Sequence, residues 1–373
     1  MSQLPSSLEL PLMREALELA ARARGDVEPN PMVGCVIHCQ GRIIGRGWHR
    51  QFGARHAEPD ALANCSESPQ GACAVVTLEP CCHTNKKTPP CVPALLAAGI
   101  ARVVVGQIDP NPQVSGAGVA QLRRAGVDVV TGVLQAQCQQ LNAAFYALVS
   151  LGRPYVTLKW AQSADGLMGG RGNTSRQISG PASSRLMHHL RTRSDAIMVS
   201  ADTVISDDPL LTVRGVPLKR TPIRVIVDSQ LRTPLNSRLV TSAKTIPTHL
   251  FTCKSEISPL GAVHIHTVEE VNGHVDFHAI LHWLGEAKCS HLLIEPGPRL
   301  ARALISMGLV DRIWVIQSPK AIGEDDAPRA PAIPWPAGRA RLLAGDTLVE
   351  YLNPDSPCFF ADMASPEFLL PAE

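Results

Sequence analysis

Four residues in the first quarter of the chain have the types and order that could hold a metal and move protons. His56-Ala57-Glu58 sets an imidazole two positions before a carboxylate, Cys81 follows Pro80, and Cys91 follows Pro90. Zinc takes nitrogen and thiolate ligands tetrahedrally, and catalytic sites keep three protein ligands and leave the fourth position for water. His56, Cys81 and Cys91 supply three ligands, and two thiolates balance the formal charge of the dication. Glu58 is not needed as a ligand. It can reach the activated water, take its proton, and deliver it to a ring nitrogen and then to departing ammonia. This order, His-x-Glu followed by Pro-Cys, is the pattern of zinc deaminases. His-x-Glu alone is common by chance. A closed structural zinc site would call for a fourth ligand and would have no use for Glu58.

The surrounding pattern places each piece on an element. Leu8, Leu12, Ala16, Leu19 and Ala23 recur at helical spacing before Gly25. Val33–His38 and Arg42–Gly47 read as strands joined by a turn at Gln40-Gly41. A helix is predicted after His56, a buried strand over Cys73–Leu78 and a helix over Val92–Ala98. A strand over Arg102–Gly106, a helix over Ala117–Ala125, a strand over Val127–Val130 and a closing helix over Gln135–Leu148 follow. The ligands thus fall at a strand end and two helix starts, and the alternation predicts an α/β layer fold with a partly parallel sheet.

Leu151-Gly152-Arg153-Pro154 reads as a linker, and beyond it the alternation restarts. Strands are predicted over Tyr155–Trp160, Ala196–Ser200, Arg224–Asp228, His249–Cys253, His291–Glu295 and Arg312–Ile316. Helices are predicted over Ala182–Leu190, Phe277–Ala287 and Arg299–Met307. Asp325–Pro336 reads as a surface loop and the stretch after Pro354 as a tail. The division is therefore residues 1–150, residues 153–353 and a tail over 354–373. No Gly-x-Gly-x-x-Gly follows a strand, so a Rossmann dinucleotide site is not indicated. Glu295-Pro296-Gly297-Pro298-Arg299 joins a strand to a helix whose N-terminus suits a phosphate, although a plain tight turn explains it equally.

The whole-chain properties bound these readings. The 373 residues suit two domains. With 45% apolar and 18% charged residues and a net charge of +2, the chain reads as globular, not as a grip on a nucleic-acid backbone. No apolar run reaches the ~18 residues of a membrane span, and Met1–Leu12 carries no secretory pattern. The eleven scattered cysteines read as thiols and metal ligands of a cytoplasmic protein, not as a disulfide framework.

The motifs point to one family. Asn30-Pro31-Met32-Val33-Gly34, Gly47-Trp48-His49, His56-Ala57-Glu58, Thr77-Leu78-Glu79-Pro80-Cys81, Thr88-Pro89-Pro90-Cys91 and Asp109-Pro110-Asn111-Pro112 resemble the bifunctional riboflavin-biosynthesis deaminase/reductases. The likeness runs from about Leu12 to Gly323. It implies an N-terminal cytidine-deaminase-like three-layer domain with Zn²⁺ and a C-terminal dihydrofolate-reductase-like α/β domain using NADPH. The implied substrate is a small phosphorylated pyrimidine, with no nucleic-acid or membrane partner, and a homo-oligomer is expected. By resemblance Asn30, His49, His83 and Lys87 hold the pyrimidine and its phosphate. On residue type alone, Asn30 fits a turn equally, and His49, His83 and Lys87 fit ordinary surface positions.

In the second domain the resemblance assigns cofactor binding to Ala161, Gln177, Thr203, Asp207, Ser229 and Gly297. It assigns substrate binding to Ser175, Arg191, Leu211, Arg214 and Glu295. Guanidinium geometry suits Arg191 and Arg214 to a phosphate. Several positions depart from the family. Leu167 and Gln177 stand where an Arg and a Trp are usual, and Gln177 can hydrogen-bond to a cofactor but cannot stack. Pro59 replaces an aliphatic residue in a first helical turn, where proline is tolerated. The Cys81–Cys91 loop is one residue longer than usual and contains Cys82. A second reading follows from Leu167 and Gln177: a deaminase joined to a degenerate, non-catalytic reductase-like domain.

Overall fold

The computed structural model describes residues 8–83, 89–112, 114–170, 176–256 and 258–360. The chain divides into two compact units, Met1–Leu151 and Gly152–Phe359, with Phe360 counted in the first.

The first unit runs α1 (Glu9–Ala21), β1 (Gly34–Cys39), β2 (Arg42–Trp48), α2 (Ala57–Ala63), β3 (Cys73–Leu78) and α3 (Cys91–Ala97). It continues with β4 (Arg102–Gln107), α4 (Ala117–Arg124), β5 (Asp128–Thr131), α5 (Gln135–Leu141) and α6 (Ala143–Leu151). Its sheet has the order β2-β1-β3-β4-β5. β1 is antiparallel to both neighbours, and β3, β4 and β5 are mutually parallel. Alternation along the strands builds three layers. Val36, Val75, Val104 and Val130 pack against α1 and α5, while Ile37, Val76, Val105 and Val129 pack against α2, α3 and α4. Both residues of the β1–β2 turn, Gln40 and Gly41, have positive φ, as a tight hairpin requires.

The predicted helix over Gln135–Leu148 is two helices. Asn142 interrupts it, and its side-chain amide accepts from Met32 N and donates to Met32 O at 2.8 and 2.9 Å. A polar side chain that satisfies a distant backbone pair fixes the break, and helical periodicity cannot register that.

The second unit runs β6 (Tyr155–Gln162), α7 (Pro181–Arg191), β7 (Ala196–Ser200), α8 (Ala201–Asp207), β8 (Ile223–Val227), α9 (Arg238–Thr241), β9 (Thr248–Thr252) and β10 (His264–Thr267). Then come β11 (Glu270–Val271), β12 (His274–Val275), α10 (Phe277–Glu286), β13 (His291–Ile294), α11 (Pro298–Ser306), β14 (Arg312–Gln317), β15 (Ala340–Leu343) and β16 (Asp346–Leu352). The nine-stranded sheet has the order β10-β9-β8-β7-β13-β6-β14-β16-β15, parallel through β14 and antiparallel at the last two strands. Helices α10 and α11 cover one face through Ile280, Leu284, Ala301 and Leu304.

Several sequence expectations change in this unit. Helices α8 and α9 and strands β10, β11 and β12 fall where the sequence predicts no element, and Ala327 and Trp335 of the predicted surface loop are buried. The β15–β16 hairpin lies beyond the last predicted strand, after the Pro- and Ala-rich stretch, although Leu342-Leu343 and Thr347–Leu352 flank an Ala344-Gly345 turn that signals it. The expected tail from 354 is folded as far as Phe359: Ser356 Oγ donates to Asp311 and Cys358 is buried. Asp311 is the anchor, since the Arg153 guanidinium donates to both its oxygens at 2.7 and 2.9 Å. Residues 361–373 lie outside the described residues. Among the described residues no helix is long and apolar enough to cross a membrane.

Candidate active sites

In the first unit, β2 and α2 bring the imidazole into place. His56 is the N-cap of α2, in extended conformation, and Glu58 lies in the helix's first turn. A Cβ on Gly47 of β2 would lie 2.2 Å from Ala61 N and 2.5 Å from Ala57 O, so only glycine allows α2 to approach this closely. Cys81 follows β3, and Cys91 opens α3 behind the Pro90 N-cap. Cys91 N donates to Cys81 O at 3.0 Å and to Cys81 Sγ at 3.3 Å, which locks the two cysteines together.

His56 Nδ1 lies 3.5 Å from Cys81 Sγ and 3.3 Å from Cys91 Sγ, and the two sulfurs are 3.4 Å apart. Tetrahedral zinc with bonds of ~2.0–2.3 Å separates its ligand atoms by roughly 3.5–3.8 Å, so the triad fits that ion with little adjustment. Cys82 is not in the triad; it packs, partly buried, against the core on the helix α2–α4 side of the sheet. The electrostatics agree with a dication. The Cys81 hydrogen bond, then burial, then the Glu58 charge push the Cys91 thiol well up. Burial, then the Cys81 charge, push Glu58 up to about 7. A dication bound by the triad would reverse these shifts and hold the sulfurs as thiolates.

The triad opens on a cavity of about 390 Å³ lined by Asn30, His49, His56, Glu58, Cys81 and His83, with Phe52, Asp109, Asn111 and Phe145 on its other walls. His49 Nδ1 faces Arg55 O at 2.9 Å and its Nε2 faces the Asn30 amide at 3.2 Å. With Nδ1 as the donor, Nε2 accepts from Asn30. The His49 ring meets His56 edge-on at 5.3 Å. Burial lowers the His49 pKa and keeps the ring neutral at pH 7. The structure thus brings Asn30, His49 and His83 together with the triad and Glu58, while Lys87 lies outside the described residues.

The second cavity lies at the C-terminal ends of β7, β13 and β6, where open parallel sheets bind ligands. Ala161, Gln177, Thr203, Asp207, Glu295 and Gly297 all line its roughly 400 Å³. Arg191 reaches it through Glu295, donating from Nε and Nη2 to the two carboxylate oxygens at 2.7 and 2.8 Å, and from Nη1 to Thr212 O at 3.0 Å. Burial raises the Glu295 pKa, but the Arg191 charge and hydrogen bonds, with Lys159 behind them, outweigh it and hold the carboxyl below its usual range. Arg214 lies beside this pair and donates to Thr212 Oγ1 at 2.9 Å; burial and then the Arg191 charge lower its pKa. His188 Nδ1 accepts from Arg214 N at 3.2 Å. Two arginines and a histidine therefore crowd around a single carboxylate.

Ser229 and Leu211 do not line this cavity. Ser229 Oγ accepts from Val275 N at 3.1 Å, and Leu211 is buried with φ of +51° in the loop between α8 and β8. Ser175 lies outside the described residues. Of the two family departures, Leu167 is buried and its backbone bridges to Arg329, whereas Gln177 Nε2 donates to Ser179 O at 3.0 Å from an exposed position. Sequence reasoning missed Lys159, which lines the cavity and whose pKa burial lowers, with Glu295 opposing. The available signal was a lysine inside an otherwise apolar strand.

Together the fold and the sites define a zinc-binding deaminase domain followed by a nucleotide-dependent reductase domain. The comparisons agree with that class. Residues 7–107 match the family described as "Cytidine and deoxycytidylate deaminase zinc-binding region", and residues 154–333 match "RibD C-terminal domain". The chain is 40% identical over 325 residues to the riboflavin biosynthesis protein RibD of Actinobacillus pleuropneumoniae, covering 86% of each. It is 40% identical over 328 residues to that of Escherichia coli, covering 84% of this chain and 88% of the relative. Acinetobacter baumannii RibD superposes with a TM-score of 0.80 at 33% identity, over 92% of this chain and 98% of that one. The Thermotoga maritima diaminohydroxyphosphoribosylaminopyrimidine deaminase/5-amino-6-(5-phosphoribosylamino)uracil reductase superposes with a TM-score of 0.78 at 30% identity, over the same shares. The chain belongs to the RibD family of bifunctional riboflavin-biosynthesis deaminase/reductases.

Proposed function

We propose that the first unit removes the amino group of 2,5-diamino-6-(5-phosphoribosylamino)pyrimidin-4-one by hydrolysis. The second unit then reduces the ribosyl group with NADPH, giving 5-amino-6-(5-phosphoribitylamino)uracil. The observation that carries this is the juxtaposition of the His56–Cys81–Cys91 triad with Glu58 in a cavity whose wall holds the Asn30–His49 pair.

A zinc ion held by His56, Cys81 and Cys91 supplies Lewis-acid activation of water at neutral pH. Glu58 carries the proton traffic. Its carboxylate takes a proton from the attacking water and hands it to the ring nitrogen. It then takes the proton of the newly formed hydroxyl and delivers it to the exocyclic amino group, whose bond to the ring carbon breaks as the carbonyl forms and ammonia leaves. Buried in the first turn of α2, two residues past His56 and on the wall of the cavity, Glu58 stands where it can serve both directions. Asn30, neutral His49, His83 and Lys87 orient the pyrimidine.

NADPH supplies the hydride in the second cavity. Ala161, Gln177, Thr203, Asp207 and Gly297 hold the cofactor, with the start of α11 and its free N–H groups nearby. The family resemblance adds Ser229 to the cofactor residues, although it does not line this cavity. Lys159 Nζ would hand a proton to the ribosyl ring oxygen as its bond to the anomeric carbon breaks, the attached nitrogen supplying the electron pair that forms an iminium for the hydride to reduce at that carbon. The Glu295 carboxylate beside Lys159 would accept a hydrogen bond from the new hydroxyl. Arg191 and Arg214 supply the positive charge that suits the substrate phosphate, with His188, whose pKa burial and the two arginines lower, beside them as a neutral ring. The family resemblance adds Leu211 and Ser175 to the substrate residues. Nothing in the structure or the comparisons favours a degenerate reductase.

The test follows ammonia and NADPH separately when the full chain meets the diaminopyrimidinone phosphate, zinc and NADPH. One ammonia and one NADPH per substrate are expected. Ammonia without NADPH oxidation would leave the degenerate-reductase alternative standing. A cytoplasmic location and a homo-oligomer belong to the same proposal, and sedimentation of the purified chain checks the second.

A further inference from the structure

Glu79 is buried, and the deamination chemistry does not use it. It follows β3 and extends the pairing of that strand, with Glu79 N donating to Gln107 O at 2.9 Å. Its carboxylate is engaged by backbone. Oε2 accepts from Asp109 N at 3.1 Å and from Gly116 N at 2.8 Å, and Oε1 accepts from Val119 N at 3.0 Å. Val119 lies in the first turn of α4, where N–H groups have no helical acceptor. The approach is tight: a Cβ on Gly118 would fall 2.0 Å from Pro80 O and 3.2 Å from Glu79 Oε1.

The segment gathered by these bonds is a wall of the deaminase cavity. Asp109, Asn111 and Val114 line it together with His56, Glu58 and Cys81. Asp109 Oδ1 accepts from Asn111 N at 2.9 Å, so the backbone bond from Asp109 to Glu79 also sets the position of Asn111. Glu79 precedes Cys81 by two residues. One side chain therefore ties the substrate-facing wall to the strand end that carries a metal ligand, and fixes the width of the cavity between them.

We propose that Glu79 is a positioning residue for deamination, holding Asp109 and Asn111 at the distance where they meet the polar groups of the pyrimidine substrate. This rests on the deaminase reading above. It predicts a binding defect, because the proton-moving group and the metal ligands stay in place while the wall moves.

The test is Glu79→Gln in the full, zinc-loaded chain. The amide keeps the shape but turns an N–H₂ toward one of the three donors. KM for the diaminopyrimidinone phosphate should rise about tenfold, as expected for the loss of one charge-assisted hydrogen bond, with kcat within about threefold of its original value. Hydrogen exchange at the Asp109, Gly116 and Val119 amides should quicken. Zinc content and NADPH oxidation with the deaminated intermediate should not change. Glu79→Asp, which keeps the charge and shortens the reach, is the second variant should Glu79→Gln fail to fold, and its KM should rise several-fold. Asn111→Ala should raise KM by itself, and combined with either variant its effect should be less than multiplicative. An original KM in a folded Glu79 variant, or a fall in kcat at constant KM, overturns the assignment. An unaltered chain that releases no ammonia overturns the deaminase reading as well.

Discussion

Glu295→Ala should destabilise the second unit more than any comparable surface change. The Arg191–Glu295 pair is bidentate, and its side chains are only 11% and 19% exposed. Removing the carboxylate leaves the Arg191 guanidinium buried with Thr212 O as its remaining acceptor, and with Lys159 and Arg214 as like charges nearby. Breaking a buried pair from one side costs about 3–5 kcal/mol. The site opens on a cavity that admits water, so the lower end, about 3 kcal/mol, is expected. Arg191→Met should cost less, about 2 kcal/mol, because Lys159 still faces Glu295. The double variant Arg191→Met/Glu295→Leu should cost less than the sum of the two.

Four of the five tryptophans, Trp160, Trp283, Trp314 and Trp335, lie in the second unit, so their fluorescence in urea reports its unfolding. With a urea slope of about 2–3 kcal/mol per molar, a loss of 3 kcal/mol moves the midpoint down by roughly 1 M. The sign with pH follows from Glu295, whose folded pKa is held below its ordinary value. Its contribution is present above the unfolded pKa of about 4.5 and is lost as pH falls through the lower folded value, so the penalty of Glu295→Ala should shrink in acid. NADPH oxidation should disappear while ammonia release from the first unit continues. A midpoint moved by less than ~0.3 M, or single losses that simply add, would refute the claim that the pair is a coupled buried unit.

Three further outcomes are expected. Glu58→Ala should retain zinc by metal analysis and lose ~10²–10⁴-fold in ammonia release; loss of zinc with activity would instead make Glu58 structural. Cys81→Ser should lose zinc and deamination, while Cys82→Ser, outside the triad, should keep both; the reverse would show that the loop register differs. His249, stacked with His264 and His266 and tilted against Trp283, has its pKa lowered to about 4, chiefly by burial and then by His266 and His264. With the unfolded value near 6.5, stability is full above about 6.5 and falls as pH drops toward 4, by on the order of 1–2 kcal/mol once its partial exposure is discounted. His249→Phe should flatten that slope between pH 7 and 5 in urea midpoints read by tryptophan fluorescence.

The sequence made the zinc triad legible because its chemistry is local: each ligand sits beside a proline or a helix start, and residue type alone states what it can bind. The strand alternation of the first unit was legible for the same reason, since Val36/Ile37 and Val75/Val76 assign themselves to opposite faces. What stayed hidden depends on partners far away in the chain. Asn142 breaks a helix for the sake of Met32, 110 residues earlier. Asp311 ties down Arg153 and Ser356 and so folds a stretch that composition marks as tail. Lys159 gains its meaning from Glu295, which a parallel register (Ile294 opposite Leu158) sets on the neighbouring strand. Glu79 stands openly in the Thr-Leu-Glu-Pro-Cys motif, yet nothing local distinguishes a carboxylate facing substrate from one gathering three backbone N–H groups. Residue type therefore reveals the clustered ligands of the first unit, while only the fold reveals Lys159 in the second and the groups, such as Glu79 and Asp311, that hold others in place.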